Sequence, residues 1–160
     1  MVHAYIGLGS NLGDRKKNID NSIRLLGKFK GIEVDKRASF YETEPVGPTQ
    51  PWFINTAVEI ETGLPVDRIL ELCKEVERRI GRVDSLEWGP RLVDLDILLV
   101  GNRVVKGSDL QVPHPEIANR AFVILPLLEL DPDLVHPKLN MPIKKLLDET
   151  ERNKKVMRLQ

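Results

Sequence analysis

Val93-Asp94-Leu95-Asp96-Ile97-Leu98-Leu99-Val100 is the stretch on which the reading of this chain turns. Side chains alternate across a strand with period two, so Asp94 and Asp96 share one face while Leu95, Ile97 and Leu99 share the other. The two Cβ atoms then lie about 6–7 Å apart, and at an effective dielectric near 20 the carboxylates repel by roughly 2–3 kcal/mol. A strand otherwise this apolar accepts that cost only with positive charge beside it. Two solutions stay open on spacing alone: Arg or Lys side chains neutralising an exposed edge, or Mg²⁺ held by the carboxylates and completed by phosphate oxygens and water. Basic neighbours favour phosphate. Arg82 and Arg91 bracket the preceding segment, guanidinium forks match phosphate oxygens, and Trp88-Gly89-Pro90-Arg91 forms a turn that aims Arg91 inward.

Outward from that strand, the chain splits into recognisable elements. Val2 to Leu8 reads as a buried strand running into Gly7-Leu8-Gly9-Ser10-Asn11-Leu12-Gly13-Asp14, with Asn11 or Asp14 near the cap of a helix. That helix carries Ile19, Ile23, Leu26 and Phe29 on one face, and Gly31 is its expected stop. Ile32 to Tyr41 alternates as a half-exposed strand, and Phe53 to Thr62 is another, with Ile54, Val58 and Ile60 on one side and Phe53, Asn55 and Ala57 on the other. Between them, three prolines and a glycine within Thr43 to Pro51 exclude a regular ladder. A second helix begins at Pro65, buries Ile69, Leu72, Cys73, Val76 and Ile80, and closes at Gly81. After Val100, Gly101-Asn102 predicts a hairpin turn into Arg103-Val104-Val105. Helices are expected over Ala121 to Leu130 and near Ile143 to Leu147, His136-Pro137 as a surface turn, and fraying from Glu149 to Gln160.

Strand, helix, strand, strand, helix, strand is the split βαβ order, so the expected fold is α+β and ferredoxin-like, a largely antiparallel sheet. The first two helices cover one face, and the C-terminal hairpin and helices are available for the other. The first strand then lies antiparallel beside Val93 to Val100, bringing Gly9, Ser10 and Asn11 near Arg91 and Asp94.

With 160 residues, 24 basic against 24 acidic side chains, 41% apolar and 30% charged residues, the chain reads as one globular domain spanning 1–160. Zero net charge argues against a general nucleic-acid or membrane-surface binder, because counterion release needs clustered Lys and Arg. One cysteine, Cys73, makes no intrachain disulfide and reads as a buried apolar residue. No signal segment or membrane span is apparent, so a cytoplasmic location is expected.

Other candidates carry two readings each. The glycine string follows a strand and opens a helix as a dinucleotide site would, but its spacing is G-x-G-x-x-x-G, and no P-loop occurs. Lys74 and Glu77 are spaced as a solvated helical ion pair or as part of a nucleotide pocket. Three histidines in unrelated segments give no histidine metal spacing. Arg120 and Phe122 are able to hold a phosphate and stack on a flat ring, and Asn55, on a strand that disfavours Asn, is able to read a heterocycle's edge or to serve hairpin pairing.

Together these residues resemble the 6-hydroxymethyl-7,8-dihydropterin pyrophosphokinase family of the folate pathway. The resemblance rests on Gly9-Ser10-Asn11-Leu12-Gly13, Phe40 to Gly47, Phe53-Ile54-Asn55-Thr56-Ala57-Val58, Gly81-Arg82, Trp88 to Ile97, Val112-Pro113-His114-Pro115 and Asn119-Arg120-Ala121-Phe122. It implies pyrophosphoryl transfer from ATP to the hydroxymethyl group of the pterin, releasing AMP. Asp94 and Asp96 are then expected to hold two Mg²⁺ ions, with Arg82 and Arg91 on the phosphate chain. Asn55 is expected at the pterin edge, Phe53 and Phe122 on its two faces, and Thr43, Pro45 and Val46 contributing main-chain contacts. Lys74, Glu77, Trp88, Ile97, His114 and Arg120 fall to the ATP site. Thr43 to Pro51 and Arg82 to Arg91 are expected to close over substrates. Glu87, Asp84, Asp109 and Pro115 depart from residues common in relatives. ATP and the pterin are the expected partners of a monomer, with no nucleic acid and no membrane. The competing readings are a noncatalytic ferredoxin-like module for RNA or a small ligand, against which 5% aromatic residues weigh, and a kinase of another substrate.

Overall fold

A computed structural model describes residues 1–44, 51–81, 92–148 and 156–159. β1 (Val2–Ser10) runs into α1 (Arg15–Leu26), followed by β2 (Ile32–Arg37), β3 (Tyr41–Thr43), β4 (Phe53–Thr62) and α2 (Val66–Gly81). β5 (Asp94–Val100), β6 (Val105–Lys106), β7 (Gln111–Val112) and α3 (Ala121–Leu130) come next. The chain ends with β8 (Val135–His136), β9 (Met141–Pro142), α4 (Ile143–Leu147) and β10 (Val156–Arg158). The main sheet has six strands in the order β10-β3-β4-β1-β5, with β2 also on β4, and every pairing is antiparallel. This is the ferredoxin-like arrangement, and the absence of a parallel pair among these strands removes the dinucleotide-fold reading of the glycine string.

Two cores use the two faces of the sheet. Ile54, Val58 and Ile60 of β4 pack with Ile19, Ile23 and Leu26 of α1 and Ile69, Leu72, Cys73 and Val76 of α2. Ala57 points the other way, where Ile124, Leu127 and Leu130 of α3 and Ile143 and Leu146 of α4 cover the sheet. Helices therefore sit on both faces, as the element order predicts.

Several boundaries differ from expectation for local reasons. α1 stops at Leu26, where the Gly27 N–H takes the Ile23 carbonyl; Gly31, at φ +92°, instead makes the turn into β2. Asp14 is the N-cap, its carboxylate accepting from the Lys17 N–H at 3.2 Å. The strand expected over Ile32 to Tyr41 divides into β2 and β3, which lie along the same side of β4. Leu99 does not share the Leu95 face. Tyr5 pairs with Leu99 and Ile6 with Ile97, so Leu98 is an extra residue, and Leu98 and Leu99 both enter the α3–α4 core. Gly101, at φ +51°, does turn the chain, but β6 then pairs with β7 rather than returning on β5. His136 is not a surface turn: it is 5% exposed, within β8. Val156 to Arg158, expected to fray, form the edge strand on β3, while 149–155 lie outside the described residues.

Candidate active site

A cleft of about 210 Å³ opens between the sheet and α3. Its sheet wall comprises Gly7, Leu8 and Gly9 of β1, Thr43 of β3, Phe53, Asn55, Thr56 and Ala57 of β4, and Asp94, Asp96 and Leu98 of β5. Glu44 also lines it, and Arg120, Phe122, Val123 and Pro126 supply the opposite wall. Four strands and one helix thus bring together residues far apart in sequence.

Register explains the arrangement. Gly9 pairs with both Asn55 and Asp94, and Gly7 with Ala57 and Asp96, so side chains flanking β1 lean over positions that carry none. A Cβ at Gly9 would lie 2.7 Å from Asn55 Oδ1. Asn55 Nδ2 donates to Thr43 Oγ1 at 2.9 Å, which orients the carboxamide, and Thr43 itself is 3% exposed. Asp94 and Asp96 lie on one face of β5 as their spacing requires, Asp96 the more exposed. Carboxylate oxygens in a polar, partly open setting are the hard donors Mg²⁺ prefers, with room for waters and phosphate oxygens, so the donor chemistry fits that ion.

Of the expected nucleotide residues, Glu77, Ile97 and His114 lie on or against β5, and Arg120 lines the cleft. The Glu77 carboxylate accepts from the Leu95 N–H at 2.9 Å, which ties α2 to β5. The Ile97 side chain is buried in the α1–α2 core. His114 Nδ1 accepts from the Glu116 N–H at 3.1 Å, which places the ring proton on Nε2, 4.0 Å from Asp96 Oδ1. Arg120 pairs with Glu116 at 3.0 Å and lies 5.7 Å over the Phe122 ring. Burial, reinforced by the Glu77 and Asp96 charges, pushes the Cys73 thiol up to about 12, so it stays a protonated core residue. Pro45, Val46, Arg82, Trp88 and Arg91 lie outside the described residues, as do Asp84 and Glu87; of the segments expected to cover the substrates, 45–50 and 82–91 lie outside them.

Residues 5–132 match the family described as 7,8-dihydro-6-hydroxymethylpterin-pyrophosphokinase. The chain belongs to this family. The 2-amino-4-hydroxy-6-hydroxymethyldihydropteridine pyrophosphokinase of Methylorubrum extorquens is 43% identical over 136 residues, 84% of this chain and 86% of that protein. Its namesake in Bacillus subtilis is 44% identical over 128 residues, 79% and 77% of the two chains. Among solved structures, a Plasmodium falciparum HPPK-DHPS chain superposes with a TM-score of 0.71 at 15% identity, over 93% of this chain and 43% of that one. At that identity the likeness speaks for the fold, and this chain spans less than half the length of the larger protein.

Sequence reasoning brings Gly9 and Ser10 to the start of the acidic strand but not what each does there, and it misses Pro126 as a lining residue of the cleft. Gly9 stood in a quoted motif, but its steric necessity depends on Asn55 crossing from β4. Ser10, 1% exposed, donates to the Leu92 carbonyl at 2.6 Å and so fixes the start of the acidic strand against the end of β1. Pro126 lies inside α3, within the helix expected over Ala121 to Leu130, and lines the cleft wall. The histidines hold one surprise: His3 Nδ1 lies 3.8 Å from both Asp35 and Glu59, at the end of β1 remote from Gly9.

Proposed function

We infer that this cleft is where the chain carries out its family's reaction, transfer of pyrophosphate from ATP to 6-hydroxymethyl-7,8-dihydropterin in folate biosynthesis. The reading assigns the pterin to the slot between Phe53 and Phe122, its edge to Asn55, with Thr43, Pro45 and Val46 alongside. Lys74, Glu77, Arg82, Trp88, Arg91, Ile97, His114 and Arg120 are assigned to ATP. The single observation that carries it is the convergence of Asp94, Asp96, Asn55 and Phe122 on one cleft although they come from β5, β4 and α3.

Asp94 and Asp96 would hold Mg²⁺, two ions in this reading, which supplies Lewis-acid neutralisation of phosphate charge. The chain's own work is mostly placement. The hydroxymethyl group is a weak nucleophile, so rate comes from holding it in line with the β-phosphorus and from cationic groups facing the charge that develops on the phosphate oxygens. Asn55 orients the ring, the phenylalanines exclude water from its faces, and Arg82 and Arg91 are assigned to the phosphate chain. His114, with its proton on Nε2, is a donor facing the acidic pair and is suited to a phosphate oxygen.

One domain over 1–160 belongs to this reading, supported by β1 and β10 lying in the same sheet. A cytoplasmic monomer is part of it as well. No described helix is long and apolar enough to cross a membrane, and the exposed large apolar side chains described are Met1, Val104, Val135, Leu139 and Met157, of which Val135 and Leu139 share the β8–β9 hairpin. Sedimentation tests the monomer.

The test of the chemistry is direct. With ATP, Mg²⁺ and the hydroxymethylpterin, the product is AMP rather than ADP. Asp94→Ala and Asp96→Ala each lower kcat by at least about 10³-fold while the circular dichroism spectrum is kept, in line with the loss of a strong electrostatic stabiliser. ADP as product, or near-normal turnover in either variant, overturns the assignment.

A further inference from the structure

The two walls of the ring slot belong to different layers. Phe53, Asn55 and Thr43 stand on the sheet, and Phe122 and Pro126 on α3. A flat ring between them depends on the gap, because a radial opening of about 0.5–1 Å forfeits a quarter to a half of each dispersion contact. Something must fix the helix against the sheet.

Phe122, Pro126 and Glu129 follow one another at i, i+4 and i+7, so they form a stripe along one face of α3. At the far end of that stripe the Glu129 carboxylate collects donors from β3 and its surroundings. Its Oε1 accepts from the Ser39 N–H at 2.9 Å and the Ser39 hydroxyl at 2.6 Å, and its Oε2 from the Tyr41 hydroxyl at 2.7 Å. Arg158 of the edge strand β10 reaches Oε1 at 3.3 Å and Ser39 Oγ at 3.0 Å. Tyr41 is the register partner of Asn55, and Thr43, the partner of Phe53, follows on the same short strand. The carboxylate therefore connects the helix bearing one ring wall to the strand that flanks the other.

We propose that Glu129 is a positioning residue that sets the width of the ring slot by locking α3 onto β3. The proposal rests on the cleft being the pterin site. The charge state agrees with it: burial would raise the Glu129 carboxyl, but the Ser39 and Tyr41 hydrogen bonds and Arg158 hold it below the usual range. Burial and that same carboxylate push the Tyr41 phenol up to about 12, so it stays a donor.

The experiment uses the full chain, titrated with hydroxymethyldihydropterin in the presence of Mg²⁺ and a saturating nonhydrolysable ATP analogue, and with the analogue alone. Glu129→Ala raises the pterin Kd about tenfold, or ~1.4 kcal/mol, and leaves the analogue's Kd within about twofold. Glu129→Gln, whose carbonyl oxygen accepts from Ser39 while its NH2 donates to the Tyr41 oxygen, recovers most of that affinity. If Glu129→Ala does not fold, Tyr41→Phe moves the pterin Kd in the same direction by about threefold, and an unchanged Kd there overturns the proposal. Equal loss of both ligands in Glu129→Ala, or wild-type pterin affinity, overturns it too, provided that Phe122→Ala loses the pterin. Wild-type pterin binding by Phe122→Ala sinks the slot reading and takes the proposal with it.

Discussion

Gly9 shows what a single hydrogen atom does at this site. Its pairing with Asn55 is fixed by the β1–β4 ladder, so an alanine methyl there cannot retreat, and it would lie 2.7 Å from Asn55 Oδ1. The carboxamide has to rotate and give up its bond to Thr43. Gly7 differs, because its missing Cβ faces the Leu98 side chain at 3.3 Å, whose methyl groups are able to shift. Gly9→Ala is therefore expected to raise the KM for the pterin about tenfold or more, the cost of a lost orienting hydrogen bond and a displaced amide, while Gly7→Ala changes it much less. Steady-state kinetics with each substrate varied in turn decides it, and equal effects of the two alanines refute the steric argument. The acidic pair was legible from its own spacing, since period two needs no partner. The need for Gly9 was not, because it exists only once another strand's Asn55 is registered opposite.

At the scale of the element, legibility follows locality. α2 reads cleanly because its proline, apolar stripe and closing glycine all lie within one stretch, and the structure places it at Val66–Gly81. The break between β2 and β3, the Leu98 bulge and the β10 pairing were hidden because each depends on the strand opposite. His136 belongs to this group: a His-Pro pair signals a turn, but His136 pairs with Met141 in the β8–β9 hairpin and is buried there. Its Nδ1 accepts from the Lys138 and Leu139 N–H groups, a role open only to the unprotonated nitrogen. Burial, then the nearby Lys138 charge, lowers its pKa below the usual 6.5. The unfolded chain thus takes up this proton at a higher pH than the folded one. Stability from this site is complete above about pH 6.5 and declines as the pH falls through that value toward the lower folded pKa. The thermal midpoint of the wild type should fall between about pH 6.5 and 5 more steeply than that of His136→Asn. Superimposable pH slopes would show that His136 contributes nothing to acid sensitivity.

The whole molecule is organised around a shared wall. β4 gives Ile54, Val58 and Ile60 to the α1–α2 core and Ala57 to the α3–α4 core, and β5 likewise sends Leu95 and Ile97 one way and Leu98 and Leu99 the other. Neither helical layer has a sheet face of its own to keep once the other has gone, so both layers are expected to unfold with the sheet in one transition. The proposed active site depends on that unity, because its acidic pair rides on β5 while Phe122 rides on α3. Ile69, in α2, and Ile124, in α3, are each fully buried. Ile69→Ala and Ile124→Ala should each cost about 2–5 kcal/mol, the range for truncating a packed isoleucine. Each should shift a single denaturant transition to lower midpoint with its slope unchanged. Far-ultraviolet dichroism, reporting all helices, and tryptophan fluorescence should give coincident curves in both variants. If Ile124→Ala instead separated the two probes, α3 and α4 would be a layer that opens on its own. Substrate binding would then have to be described as docking of that layer onto a preformed sheet.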